Sequence, residues 1–376
     1  MPRQISLSLL FLLLFATLAT ADEISFERDG QRVDLKGDVI ATHEAGIVLH
    51  TADGKMWPIQ QDEIVERKKT SDPLELQTKQ QLIETVLSEM PPGSKVFETT
   101  HYIVAYNTSR AYAQWVGGML ERLHRGFTSY WSQRGVQLHE PKQPLVALVF
   151  DNQDQFAAYG EAELGAAAKS VIGFYSMHTN YVVMFDLTGG AGNARRTLGI
   201  RDIQRLMNRP DFQWSLATIV HEATHQLAFN SGLQKRWADV PLWFSEGLAI
   251  YFETPDVSSS RGWRGIGQVS APRLQQFQQA AKESSQPFLP DLLTNDDSLR
   301  KAATRMDRYA QAWALTYFLQ KRMPEKYDAY LNELSQIKPL HDPSQADRVR
   351  MFQKHFGADL LELENEVRQM MLGMRP

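Results

Sequence analysis

The chain has 376 residues, 43% apolar, 22% charged and 10% aromatic, a composition that excludes disordered, collagen-like and coiled-coil proteins. With 40 Lys and Arg against 44 Asp and Glu, the formal charge of −4 gives no global reason to expect nucleic acid or an acidic membrane surface as partner. The lack of cysteine removes disulfides, thiolate nucleophiles, iron–sulfur clusters and Cys-ligated zinc, so any metal must rest on His and carboxylates.

Residues 1–21 read as a signal peptide: Arg3, an apolar run over 5–18, then Ala19-Thr20-Ala21 as a small-x-small cleavage site. The run is shorter than the roughly 20 apolar residues of a membrane span. The expected product begins at Asp22, is exported to the periplasm or beyond, and has no stable membrane insertion; an uncleaved leader would instead anchor it.

Residues 22–69 alternate short apolar and polar runs, broken at Asp29-Gly30, Ala45-Gly46 and Asp53-Gly54. This spacing predicts four or five antiparallel strands, a small all-β domain of the SH3-like barrel kind. The polar stretch 66–73 reads as a linker, and 70–95 as linker plus a helix over 74–90, stopped by Pro91-Pro92-Gly93. From residue 96 to 376 a larger domain is expected. Strands are predicted over 99–106, 145–150 and 181–187 and a long helix over 110–131, with mostly helix after 211. Strands first and helices later mean an α+β fold. Gly189-Gly190-Ala191-Gly192 lacks the Gly-Lys-Ser/Thr ending of a phosphate loop and reads as a plain loop.

The chemistry gathers in His221-Glu222-Ala223-Thr224-His225, on a helix whose apolar stripe is Leu216, Val220, Ala223 and Leu227. Four residues apart, His221 and His225 share one helical face and can reach a single cation, with Glu222 beside it. Chance would place His-Glu-x-x-His in a chain of this usage only about 0.015 times. A catalytic zinc needs a third ligand and an open position. The segment Trp243-Phe-Ser-Glu246-Gly-Leu-Ala-Ile-Tyr-Phe-Glu253 offers two carboxylates seven apart on an apparently amphipathic helix, one able to ligate and the other to orient.

This motif pair, His-Glu-x-x-His and then Trp-x-x-Glu-Gly-x-Ala-x-Tyr-x-Glu, resembles the gluzincin metallopeptidases, peptidase-MA-like proteins of the aminopeptidase N type. More closely it resembles a bacterial family, domain of unknown function 1570. The resemblance implies a zincin-like catalytic domain with one zinc per chain on His221, His225 and Glu246. It further implies Glu222 as general base, Glu253 as support for a histidine ligand, and a tyrosine some sixty residues on as oxyanion donor. Tyr309 fits that spacing, with Tyr251 and Tyr317 as rivals. The Gly-Ala-Met-Glu-Asn motif that holds a substrate amino terminus is missing, so exopeptidase action is not carried over.

In such a site zinc lowers the pKa of its water toward about 7 and polarises the substrate carbonyl. Glu222 would move the proton and Tyr309 would donate to the oxyanion. The expected partner is a peptide or protein lying along an edge strand, for which 181–187 is the candidate. Nucleic acid is not expected. The alternatives are a zinc hydrolase of a non-peptide amide, ester or epoxide, and a non-catalytic metal-binding envelope protein. Glu222, which a structural metal does not need, argues against the second. His101, His178 and the loop of Arg261, Trp263 and Arg264 read as structural or as cleft lining, and no Gly-x-Ser-x-Gly elbow occurs.

Overall fold

The computed structural model describes residues 20–189, 198–256 and 263–375. Leader residues 1–19, loop residues 190–192 and Arg261 lie outside the described residues. Alternating side chains and tight turns give five antiparallel strands: β1 (Asp22–Arg28), β2 (Gln31–His43), β3 (Gly46–Thr51), β4 (Met56–Gln60) and β5 (Ile64–Lys69). Their order is β4-β3-β2-β1-β5. Asp29 and Gly30 turn β1 into β2 with φ of 54° and 73°, as the tightest hairpins require. Ile24, Phe26, Ile47, Leu49 and Ile59 form this sheet's own core. The expected linker begins later than its polarity suggested, because Glu66 to Lys69 pair with β1 as an outer strand. Charged side chains suit such an edge, so polarity alone misread it as loop.

Helix α1 (Lys79–Ser88) is shorter than the predicted 74–90, because Thr78 and Gln81 close a capping box at its start. The second sheet holds β6 (Lys95–Glu98), β7 (Tyr102–Tyr106), β8 (Leu145–Phe150), β9 (Gly173–Tyr175) and β10 (Tyr181–Phe185), in the order β6-β7-β8-β10-β9. Its three inner strands are parallel, and both outer strands run antiparallel to their neighbours. Two expectations change here. Residues 99–101 of the run 99–106 bend rather than extend, so that β6, just before them, pairs back on β7. The strand near 181–187 is not an edge, because the turn after Tyr175 folds β9 against it and takes the outer place. Three residues are too few for periodicity to reveal such a strand.

Helices α2 (Arg110–Gln133) and α3 (Gln153–Leu164) make the crossovers. The remaining described chain is helical: α4 (Ile200–Met207), α5 (Pro210–Asn230), α6 (Leu242–Phe252), α7 (Ala271–Glu283), α8 (Leu289–Thr294), α9 (Asp297–Arg300), α10 (Arg305–Arg322), α11 (Pro324–Leu334), α12 (Gln345–Phe356) and α13 (Leu360–Gly373). The architecture is α+β, with a small N-terminal sheet and a helical C-terminal half. No helix among the described residues is long and apolar enough to cross a membrane.

The amphipathic reading of α6 needs correcting, since every residue from Trp243 to Phe252 is buried. A helix apolar nearly all round belongs in the middle of a core. Its two carboxylates are therefore interior groups. Helix α10 crosses α6 at Gly247, where a Cβ would stand 2.2 Å from Thr316 Oγ1 and 2.8 Å from the Ala312 carbonyl oxygen. Glycine is required there by contact rather than by backbone angle. Gly247→Val should lower stability by about 1–3 kcal/mol, read from the urea midpoint. An unchanged midpoint would mean that α6 and α10 can separate without cost.

Candidate metal centre

Helix α5 starts on Pro210 at its first position, with Asp211 in the first turn, both favourable at a helix N-terminus. It ends before Gly232, whose φ is 84° and whose Cβ would stand 2.4 Å from the His139 ring. Fully buried Gln226 fixes the helix to the sheet: its Nε2 donates to the carbonyls of Val146 at 3.0 Å and Asn180 at 2.7 Å. That grip turns His221, Glu222 and His225 toward β9 and α6. Helix α6 begins at Pro241 with no side-chain cap of its own. Asp296, ahead of α9, accepts the Leu242 N–H at 3.0 Å and is held by Arg348 of α12 at 2.9 Å. Arg348 also pairs with Asp239.

Packed this way, α6 brings Glu246 onto the two histidines. His221 Nε2 lies 3.2 Å from His225 Nε2 and 3.1 Å from Glu246 Oε2, and His225 Nε2 lies 3.6 Å from Glu246 Oε1. Donors on a tetrahedron with 2.0–2.1 Å bonds stand about 3.3 Å apart, so these separations fit a zinc-sized cation. The three could hold a metal ion. Charge points the same way. Glu222, Glu246 and Glu253 surround the imidazoles and Arg273 pairs with Glu253, so these four groups carry two net negative charges when both histidines are neutral, which a divalent cation offsets.

The surroundings orient each ligand. Glu253 Oε2 lies 3.3 Å from His221 Nδ1, and its other oxygen accepts from Arg273 Nε of α7 at 3.3 Å. The chain Arg273, Glu253, His221 presents His221 Nε2 to the metal position. Ser245 Oγ stands 3.5 Å from His225 Nδ1 and donates to Gln234 Oε1 at 3.0 Å. Burial alone would depress the His221 pKa, but hydrogen bonds with Glu246 and Glu253 overcome it and raise it to about 10. Burial likewise opposes ionisation of Glu246, yet the adjacent His225 and His221 hold it well below the usual carboxylate range.

Glu222 is placed differently. It is not one of the three grouped donors; its Oε2 accepts the backbone N–H of Tyr175 at 2.8 Å, on the open side of edge strand β9. Burial pushes its carboxyl pKa up, and the neighbouring histidines pull only partly against this. Tyr309 of α10 has its ring 6.4 Å from the His221 ring at 20°, with Arg273 Cζ 5.6 Å from its centre. Burial, then the nearby Glu246, raise its phenol pKa and keep it protonated. Of its two rivals, Tyr251 packs on Tyr130 and Tyr317 packs on Tyr251, both in another part of the core.

Sequence reasoning thus named the residues that meet, and missed Arg273, Ser245 and Tyr175. Arg273 stands in a polar helix with no motif, and Tyr175 acts through its backbone, which leaves no trace in residue type. His101 binds Glu121 at 2.8 Å, stacks on His124 at 4.0 Å and stands apart from the centre; with His124 and exposed Glu140 it makes a second, less enclosed group. His178 Nδ1 donates to the Met56 carbonyl at 2.9 Å and its ring packs edge-on against Trp57 at 4.3 Å, tying the N-terminal sheet down.

The stretch that builds the centre matches a known family. Residues 215–341 match the family model described as Protein of unknown function (DUF1570). The DUF1570 match spans His221, Glu222, His225, Glu246, Glu253 and Tyr309, and begins well after the N-terminal sheet. No curated protein matches the chain. If the Arg273 to Glu253 to His221 chain orients the ligand, Glu253→Gln and Arg273→Met should each weaken zinc about 10- to 100-fold in chelator competition. Equal affinity in both variants would make His221 self-sufficient.

Proposed function

We propose that this chain is an exported, zinc-dependent metallopeptidase with a zincin-like catalytic fold and an N-terminal sheet curled into a small SH3-like barrel. The observation that carries the reading is the half-buried Glu222 carboxylate, held between the three-donor group and the edge strand β9. A metal that only braces a fold needs no extra carboxylate beside it; a hydrolytic centre needs a base there. Alternate backbone groups of an edge strand face outward; in β9 the Tyr175 N–H is taken by Glu222, and an extended peptide would pair with the outward groups that remain and bring a carbonyl to the centre. That feature favours a peptide over an ester or epoxide.

His221, His225 and Glu246 would hold one zinc ion, which when bound supplies the Lewis acid that activates water near neutral pH and polarises the carbonyl. Glu222 accepts a proton from the attacking water and returns it to the leaving amine nitrogen as the C–N bond breaks. Its burial makes the protonated form accessible at the second step. The Tyr309 hydroxyl, kept protonated, donates a hydrogen bond to the oxygen where negative charge develops.

Elemental analysis of the purified mature chain should find about one zinc per molecule, lost in Glu246→Ala. Glu222→Gln should keep the zinc and cut hydrolysis of a peptide library by about 10²- to 10⁴-fold. Tyr309→Phe should lower kcat by roughly 10²-fold with KM little changed. Undiminished hydrolysis by Glu222→Gln would refute the mechanism, and absence of zinc in the wild type would refute the reading as a whole.

A further inference from the structure

Between the N-terminal sheet and the helical half lies a cavity of about 810 Å³ outside the metal centre. Arg236, on the connection from α5 to α6, forms part of its wall and is only 8% exposed. Its guanidinium donates to two carbonyls, Met177 at 3.3 Å from Nη1 and Gly54 at 3.2 Å from Nη2. No carboxylate pairs with it among the described residues. A buried guanidinium without a counter-ion is unfavourable, and burial pulls its pKa below the ordinary value. Lys142, Lys235 and Lys338 also line the cavity, against Glu140 as the one acidic lining residue. His50, another lining residue, is held below its usual pKa by burial and then by Arg236 and Lys142, against the opposing pull of Asp38 and Asp53.

A second observation is independent of charge. Gln234 is 1% exposed and lines the same cavity, and its Nε2 has no acceptor. Its other end is engaged, since Oε1 accepts from Ser245 Oγ beside His225. A buried cation without an anion and a buried N–H without an acceptor thus belong to two residues of one cavity wall. Both are satisfied by an anionic oxygen.

Helix geometry sets the separation of that wall from the metal centre, none of whose three donors lines the cavity. Phe229, another lining residue, follows Glu222 by seven positions on α5, two turns along the same face and about 10.5 Å further on. An extended peptide advances about 3.4 Å per residue, so a chain held at Glu222 arrives there about three residues from the reacting bond.

We propose that this cavity binds a carboxylate of the peptide substrate, carried by an acidic side chain about three residues from the bond that is cut. Arg236 and Gln234 are its donors, and the lysines draw it in. The identity of the ligand rests on the peptidase reading; the anion site does not. Because Gly54 belongs to the N-terminal sheet, the site is complete only when that sheet is docked.

The test uses the full chain carrying Glu222→Gln, loaded with zinc so that nothing is turned over. Its probes are pairs of blocked octapeptides differing only by Glu or Gln three residues from the centre on either side, and inorganic phosphate. Calorimetry should show one Glu peptide binding at least about tenfold more tightly than its Gln twin. Arg236→Gln should abolish the preference, and Arg236→Lys should keep part of it. Lys142→Ala, an exposed change, should reduce the preference about two- to threefold and weaken its salt dependence, which carries the test should Arg236→Gln not fold. Equal affinities for both twins, or a preference that survives Arg236→Gln, overturn the proposal. Phosphate binding that depends on Arg236 while no acidic peptide binds overturns the substrate assignment and leaves a free-anion site. Acidic peptides that bind through Arg236 yet are never cut by the zinc-loaded wild type support the anion site and defeat the peptidase reading instead.

Discussion

Glu246 reaches His221 and His225 because α6 lies wholly inside the protein, pressed between α5 and α10. A carboxylate carried that far from water must find positive charge or hydrogen bonds, and here two imidazoles meet it. The surrounding packing serves this one approach. Gly247 lets α10 close over α6, Gln226 locks α5 to the sheet, and Asp296 fixes where α6 begins. The result is a buried cluster whose negative charge exceeds its positive charge, an arrangement stable only with a cation or extra protons present. The raised pKa of His221 is the protein's response when protons fill that role.

The sequence was most legible where spacing does the work. His221 and His225 are four apart on a helix, which puts them on one face before any tertiary contact is considered. Glu246 and Glu253 were found as a pair seven apart, though the helix that bears them was misjudged. Counting Phe244, Leu248, Tyr251 and Phe252 as one apolar side hid the fact that Trp243, Ala249 and Ile250 make the other sides apolar too. The five-stranded N-terminal sheet was readable from its Gly-bearing turns, while β5 was lost among charges that suit an edge strand.

What remained hidden depends on the chain meeting itself at long range. Arg273 touches Glu253 only because α7, packed along α10, brings its first turn up to Trp214 and Glu253. Strand β9 has three residues and exists because the turn through Asn180, at φ 68°, lays it against β10. The edge of the sheet therefore belongs to a segment with no pattern of its own, and the recognisable strand behind it is interior. Topology decides which strand is an edge, and periodicity carries no topology.

The cap on α6 has a consequence for how the protein comes into being. The carboxylate that starts this helix is steadied by Arg348, on a helix near the end of the chain and beyond the stretch that matches the family model. During synthesis the histidines emerge long before the residue that steadies the helix facing them. The start of α6 therefore gains its brace only once Arg348 has been made, and until then part of what holds Glu246 against the histidines is missing. Such timing leaves the three donors loosely arranged until the molecule around them is complete.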